Sequence, residues 1–188
     1  MKAPLFEYPS YQYQIKDWEF KKKGLLKRVK EEKFIRTDLQ SFETDRQTSK
    51  KSYLHYFQDF IKSELMEFCQ EAKVTCSMTD CWTVRYQKGD YQSVHNHKSW
   101  GFTGILYVEF DPKVHTPTCF IAPWQNPRND TTSFSYPSNV QEGTLLIAPS
   151  YAMHFASPNE TKKPRTIISF DLLPELPNHQ SINTPADK

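Results

Sequence analysis

Between residues 51 and 72, Leu54, Phe57, Ile61, Leu65, Phe68 and Ala72 recur at steps of three and four, which predicts one helix with a single apolar stripe. Such a stripe needs a sheet to cover it. His55 flanks the stripe and reads as a structural or solvent-facing histidine. After Cys76 the pattern becomes short apolar and β-branched runs punctuated by Gly, Pro, Asn and Asp, as in antiparallel strands and their turns. Strands are predicted over residues 79–87, 91–96, 102–110, 118–122, 131–136, 144–148, 153–156 and 165–173. Eight short strands in series suggest a jelly roll, mainly β with packed helices.

The flanks are less regular. Aromatic residues alternate with polar ones over residues 4–20, consistent with an edge strand or two. Residues 24–33 suit a short helix whose Lys and Glu face solvent. The stretch 123–141 is mostly Pro, Asn, Ser, Thr and Asp apart from Trp124 and Phe134, and a long loop of this kind is usually functional or disordered. Past Pro174 apolar content falls away. The expectation is therefore one domain over residues 1–174 and a poorly ordered tail over 175–188, in keeping with 188 residues in all.

Composition narrows the function by exclusion. With 24 Lys and Arg against 22 Asp and Glu, the formal charge of +2 gives no electrostatic reason to propose a nucleic-acid or membrane partner. The 13 Phe, 10 Tyr and 4 Trp against only 5 Gly favour a sheet-rich core. Cys69, Cys76, Cys81 and Cys119 lack both zinc-site spacing and disulfide-scaffold density, so they read as reduced thiols. No segment has the apolar length of a signal peptide or a membrane span, and the expected compartment is the cytoplasm.

Chemistry concentrates in three segments. In Gly89-Asp-Tyr-Gln-Ser-Val-His95-Asn-His97 two imidazoles stand two residues apart after a turn. On a strand they would point the same way and chelate one ion, although a pair of surface histidines has the same spacing. In Gly143-Thr-Leu-Leu-Ile-Ala-Pro149-Ser-Tyr-Ala-Met-His154 an apolar strand enters a Pro-marked turn and presents a lone histidine, which in a jelly roll can complete a facial set of three. Three ligands on one face leave open positions on a six-coordinate metal. In Arg165-Thr-Ile-Ile-Ser169-Phe, alternation puts Arg165, Ile167 and Ser169 on one face and Thr166, Ile168 and Phe170 on the other. A buried guanidinium needs an anionic partner, either a ligand carboxylate or an Asp or Glu distant in sequence.

Taken together, the run from Trp82 to His97, Gly104-Ile-Leu-Tyr107-Val, Gly143 through His154 and Arg165 through Phe170 resemble the 2-oxoglutarate and Fe(II)-dependent oxygenases of bacteria and their phages. The resemblance implies a double-stranded β-helix, Fe(II) on His95, His97 and His154, and 2-oxoglutarate as cosubstrate. Arg165 falls where the family grips the far carboxylate of 2-oxoglutarate. Ser169, Tyr86 and Tyr107 are further candidates for hydrogen bonds to it, or else ordinary core and strand residues. The implied activity is a dioxygenase, by default a hydroxylase acting on a small molecule or a protein side chain. One departure is His97, where most of the superfamily carries Asp, so that three neutral imidazoles would leave the site at +2.

The same segments also resemble cupins, since Gly89 and His95-Asn-His97 fit the opening of the first cupin motif. The following glutamate is missing, and Tyr151 stands where the second motif has glycine. A third reading is a jelly-roll binding or structural protein with a vestigial metal site. In either oxygenase or cupin, His115 and His179 are expected to lie away from the metal.

Overall fold

Strand β10, Arg165–Pro174, shows how the sequence becomes two layers. Its side chains alternate between two buried surroundings: Ile168, Phe170 and Leu172 enter one apolar cluster, while Ile167 enters another. The same parity splits Leu106 and Val108 from Ile105 and Tyr107 on β5, Phe102–Glu109, and Leu145 and Ile147 from Leu146 on β8, Thr144–Pro149. A sheet buried on both faces reads as near-continuous apolar runs.

The computed structural model describes residues 9–36, 41–47, 53–126 and 129–175. The larger sheet is antiparallel, in the order β1-β8-β5-β10-β3-β2, with β1 at Tyr11–Gln14, β2 at Glu43–Thr44 and β3 at Cys76–Tyr86. The smaller sheet runs β4-β9-β6-β7, built from Gln92–His95, His154–Ala156, Cys119–Asn126 and Thr131–Ser135. Three helices, α1 Trp18–Val29, α2 Leu54–Phe60 and α3 Lys62–Ala72, cover the outer face of the larger sheet. Among the described residues strands outweigh helices by 40% to 19%, so the fold is mainly β, and all eight predicted strands are present.

Three expectations are corrected. The single helix expected over 51–72 is two, divided at Ile61, whose backbone (φ −101°, ψ 9°) leaves the helical basin; residues 51 and 52 lie outside the described region. At the break Phe60 packs edge-on against Trp18 while Phe57 and Phe68 stay on the sheet. The stretch 123–141 is no long loop: β6 and β7 form a hairpin with Ile121 opposite Phe134 and Gln125 opposite Thr132. Polar composition misled there because β7 is exposed throughout and needs no apolar face. The helix expected over 24–33 begins earlier, at Trp18.

The edge strand expected near the start is β1, paired with β8; residues 1–8 and the tail from residue 176 lie outside the described region. Opposite β10, strand β3 carries one extra residue: Asp171 pairs with Asp80 and Leu172 with Met78, so Thr79 bulges. None of the described helices is long and apolar enough to cross a membrane.

Candidate metal centre

A turn at Gly89 (φ 88°), its N–H bonded to the Asn159 carbonyl at 2.7 Å, sends the chain into β4. His95 ends that strand and sits directly opposite His154, the first residue of β9. His97 is not on the strand as expected; it lies in a bend two residues further on, tied down by its N–H to the Ser150 carbonyl at 2.9 Å. The bend brings it round to the same point. Ligand nitrogens of His95, His97 and His154 lie within 4.8 Å of one another, so the three are able to hold one metal ion.

Hydrogen bonding sets the tautomers. Each Nδ1 faces an oxygen: the Ser93 carbonyl at 2.8 Å for His95, an Asp171 carboxylate oxygen at 2.7 Å for His97 and the Ala152 carbonyl at 2.8 Å for His154. With the proton on Nδ1, every ring turns its Nε2 lone pair to the metal position, that of His95 being shared with the Gln92 amide at 3.1 Å. Burial pushes the His154 imidazole down to about 3, and the nearby His95 adds to this; burial also lowers His95. Neutral imidazole is the coordinating form. Phe120 packs against the His154 ring at 5.5 Å and Trp82 against His97 at 5.4 Å.

The triad lines a narrow cavity together with Trp82, Tyr86, Gln92 and Ser169. Tyr86 and Ser169, expected near a cosubstrate, are therefore at the site. Neither Tyr107 nor Arg165 is among the residues lining this cavity; the Tyr107 hydroxyl accepts the Thr118 N–H at 3.1 Å. Arg165 is buried as expected, with 3% exposure, and stacks over the Tyr86 ring at 4.2 Å. One guanidinium nitrogen donates to the Thr116 carbonyl at 2.7 Å, yet Nε has no partner and no carboxylate pairs with Arg165 among the described residues. A buried, unmet N–H on a cation is costly and suits an anionic guest.

Two site residues escaped the sequence reading. Gln92 spans the cavity, accepting the Tyr86 hydroxyl proton at 2.7 Å and reaching His95 Nε2 at 3.1 Å. Nothing in its spacing signalled this, because a bulge separates it from His95 in the pairing with β9. Asp171 was legible: continuing the alternation of Arg165, Ile167 and Ser169 by one more step puts it on the inner face. Burial pushes its carboxyl up, but the hydrogen bond and charge of His97, with Lys98 beyond, outweigh this and hold it below the usual range.

The other histidines stand apart. His115 accepts the Asp111 N–H at 3.0 Å and reaches the Lys163 carbonyl at 3.1 Å, a local staple, and His55 is exposed on α2. His179 lies outside the described residues.

A double-layered antiparallel fold defines the class as a jelly roll, here with three converging histidines able to hold a metal ion. Residues 80–171, just under half of the chain, match the family described as "Putative 2OG-Fe(II) oxygenase". No curated protein matches the sequence. Among solved structures it resembles HygX from Streptomyces hygroscopicus with nickel and 2-oxoglutarate bound, at 10% identity, TM-score 0.68, over 90% of this chain and 84% of that one. It also resembles a Pseudomonas putida prolyl-4-hydroxylase (10%, TM-score 0.60, covering 90% and 94%). A third is the viral collagen prolyl hydroxylase of a Paramecium Bursaria Chlorella virus in complex with 2OG (14%, TM-score 0.57, covering 89% and 96%). At such identities the likeness concerns the fold.

Proposed function

We propose that the protein is a 2-oxoglutarate-dependent hydroxylase with Fe(II) on His95, His97 and His154 and the far carboxylate of 2-oxoglutarate on Arg165. The observation that carries this is the pairing, on one inner face, of three Nε2 lone pairs with a buried guanidinium whose Nε is unmet. The donor set fits iron, since imidazole suits Fe and three ligands leave positions open. When bound, iron and 2-oxoglutarate would supply dioxygen-driven oxidation of a C–H bond, with succinate and carbon dioxide as by-products.

The protein's own share is placement. Arg165 fixes one end of the cosubstrate by a charge-assisted fork, and Ser169 and Tyr86 offer hydroxyls along its length. Gln92 must release Tyr86 and His95 to make room, since its amide crosses the space. Trp82, Val84, Ile105 and Ile167 wall the cavity with apolar surface and keep water out.

The substrate would approach from the other flank of His154. A second cavity of about 280 Å³ between the sheets is lined by Phe120, Ala122, Trp124, Ser135, Leu146 and Ala148, among others, and among the described residues no charged side chain contributes. Phe120 borders both this space and His154. An uncharged, partly apolar group fits it, on a small molecule or a protein side chain. No disulfide joins any of the four cysteines, which suits a reducing compartment, and the cytoplasm is the proposed location.

Adding 2-oxoglutarate to the anaerobic Fe(II) protein should raise its melting temperature, by about 2.7 kcal/mol of stability at a hundredfold excess over Kd. Admitting air should then yield slow succinate. Absence of both effects would sink the reading, and a shift with iron alone, unaffected by 2-oxoglutarate or by loss of Arg165, would favour a cupin.

A further inference from the structure

Asp171 is 3% exposed, a poor place for a carboxylate unless its charge is used. One oxygen accepts the His97 Nδ1 proton at 2.7 Å, and the other lies 3.3 Å from Lys98 Nζ. The His97 and Asp171 side chains are 5% and 4% exposed, so water competes little for the bond. Thr103, opposite Asp171 on β5, places its hydroxyl oxygen 2.9 Å from the same Nδ1 and donates to the Phe170 carbonyl. His97 is thus gripped from behind, on a bend that has no strand pairing to orient it.

The other two histidines are held by main-chain carbonyls, which are neutral. A divalent ion on three neutral imidazoles carries +2 into a largely buried pocket, where uncompensated charge is expensive. We propose that Asp171 is the positioning residue of the metal centre: it fixes the His97 ring and, through that imidazole, supplies the negative charge that brings the site to +1. This rests on the reading that the triad binds a divalent metal. It assigns the charge-balancing role to a carboxylate outside the ligand set. Lys98, 42% exposed at its side chain, is solvated enough to leave most of that charge to the metal.

The test uses Co(II) as probe, with affinity from chelator competition and ligand geometry from its visible absorption. Asp171→Asn keeps an acceptor and removes the charge; Asp171→Ala removes both. Co(II) binding should weaken about 10- to 100-fold in Asp171→Ala and less in Asp171→Asn, the range typical of lost outer-shell partners. The Fe(III)/Fe(II) midpoint potential should rise in Asp171→Asn, since the reduced, less charged ion is then favoured. Lys98→Ala should leave Co(II) affinity within about twofold, showing that the ion pair itself is not the source of the effect.

Near-ultraviolet circular dichroism of the metal-free variants checks that they fold. Should Asp171→Ala fail to fold, Asp171→Asn, which preserves shape, carries the test. Wild-type affinity and an unshifted potential in folded Asp171→Asn would overturn the proposal while leaving the triad intact. A wild-type protein that binds neither Co(II) nor Fe(II) would instead overturn the metal reading beneath it.

Discussion

Phe170 and Asp171 are neighbours in sequence and belong to different worlds. Phe170 faces the helices, fully buried against Phe57 at 5.6 Å and close over Gly104 of β5, where any Cβ would collide with its ring. Asp171 faces the smaller sheet and holds a histidine. Along β10 the helix side reads Ile168, Phe170, Leu172 after Thr166, apolar beyond that first position, and the inner side reads Arg165, Ile167, Ser169, Asp171. One face of the strand is there for stability, and the other buries polar groups on the side of the histidines.

The comparison predicts that damage should separate by parity. The largest effect belongs to the helix side: Phe170→Ala should cost about 3–5 kcal/mol in denaturant unfolding, while the folded fraction binds Co(II) as before. Gly104→Ala should cost about 1–3 kcal/mol by overpacking against Phe170, again without touching metal affinity. If either variant changed metal binding in the folded state, the two faces would not be independent.

On the inner side, Arg165→Ala should leave Co(II) titrations unchanged and weaken 2-oxoglutarate on the order of 10- to 100-fold, as for a lost charge-assisted pair, read by thermal shift. A normal 2-oxoglutarate response would mean that its far carboxylate is held elsewhere. Acid should expose the histidines. The unfolded chain takes up protons near 6.5, which folded His154 refuses until about 3, so stability of the metal-free protein should fall as pH drops through that interval. A flat melting temperature from pH 7 to 4 would contradict the buried, neutral triad. The smallest effect is expected from Tyr86→Phe, which frees Gln92 of one hydrogen bond at a cost of about 0.5–1.5 kcal/mol.

Most of this organisation was legible beforehand because it follows from period. Strand parity separated Arg165 and Ser169 from Ile168 and Phe170, and His95 and His154 were placed by the strands around them. What sequence missed depended on departures from period. His97 reaches the site from a bend, Gln92 across a bulge, and the helix pair breaks at a residue with no Gly or Pro to announce it. Tyr107 looked equivalent to Tyr86, but a backbone N–H from Thr118 claims its hydroxyl, and only tertiary packing decides that.

The bulge at Thr79 extends the point. Because side chains alternate, the extra residue reverses the phase of β3, so that Met78 and Cys76 point to the helix side as Cys81 does. Thr79 itself receives Lys98 at 3.4 Å and reaches the Asp171 carbonyl. Lineages that lost this residue would keep Met78 opposite Leu172 on the helix side but withdraw the hydroxyl from Lys98 and from the Asp171 carbonyl at once. Insertions and deletions should therefore be filtered out of this half of β3 during evolution while accumulating freely in the exposed β6–β7 hairpin, making strand length a heritable mark of the site.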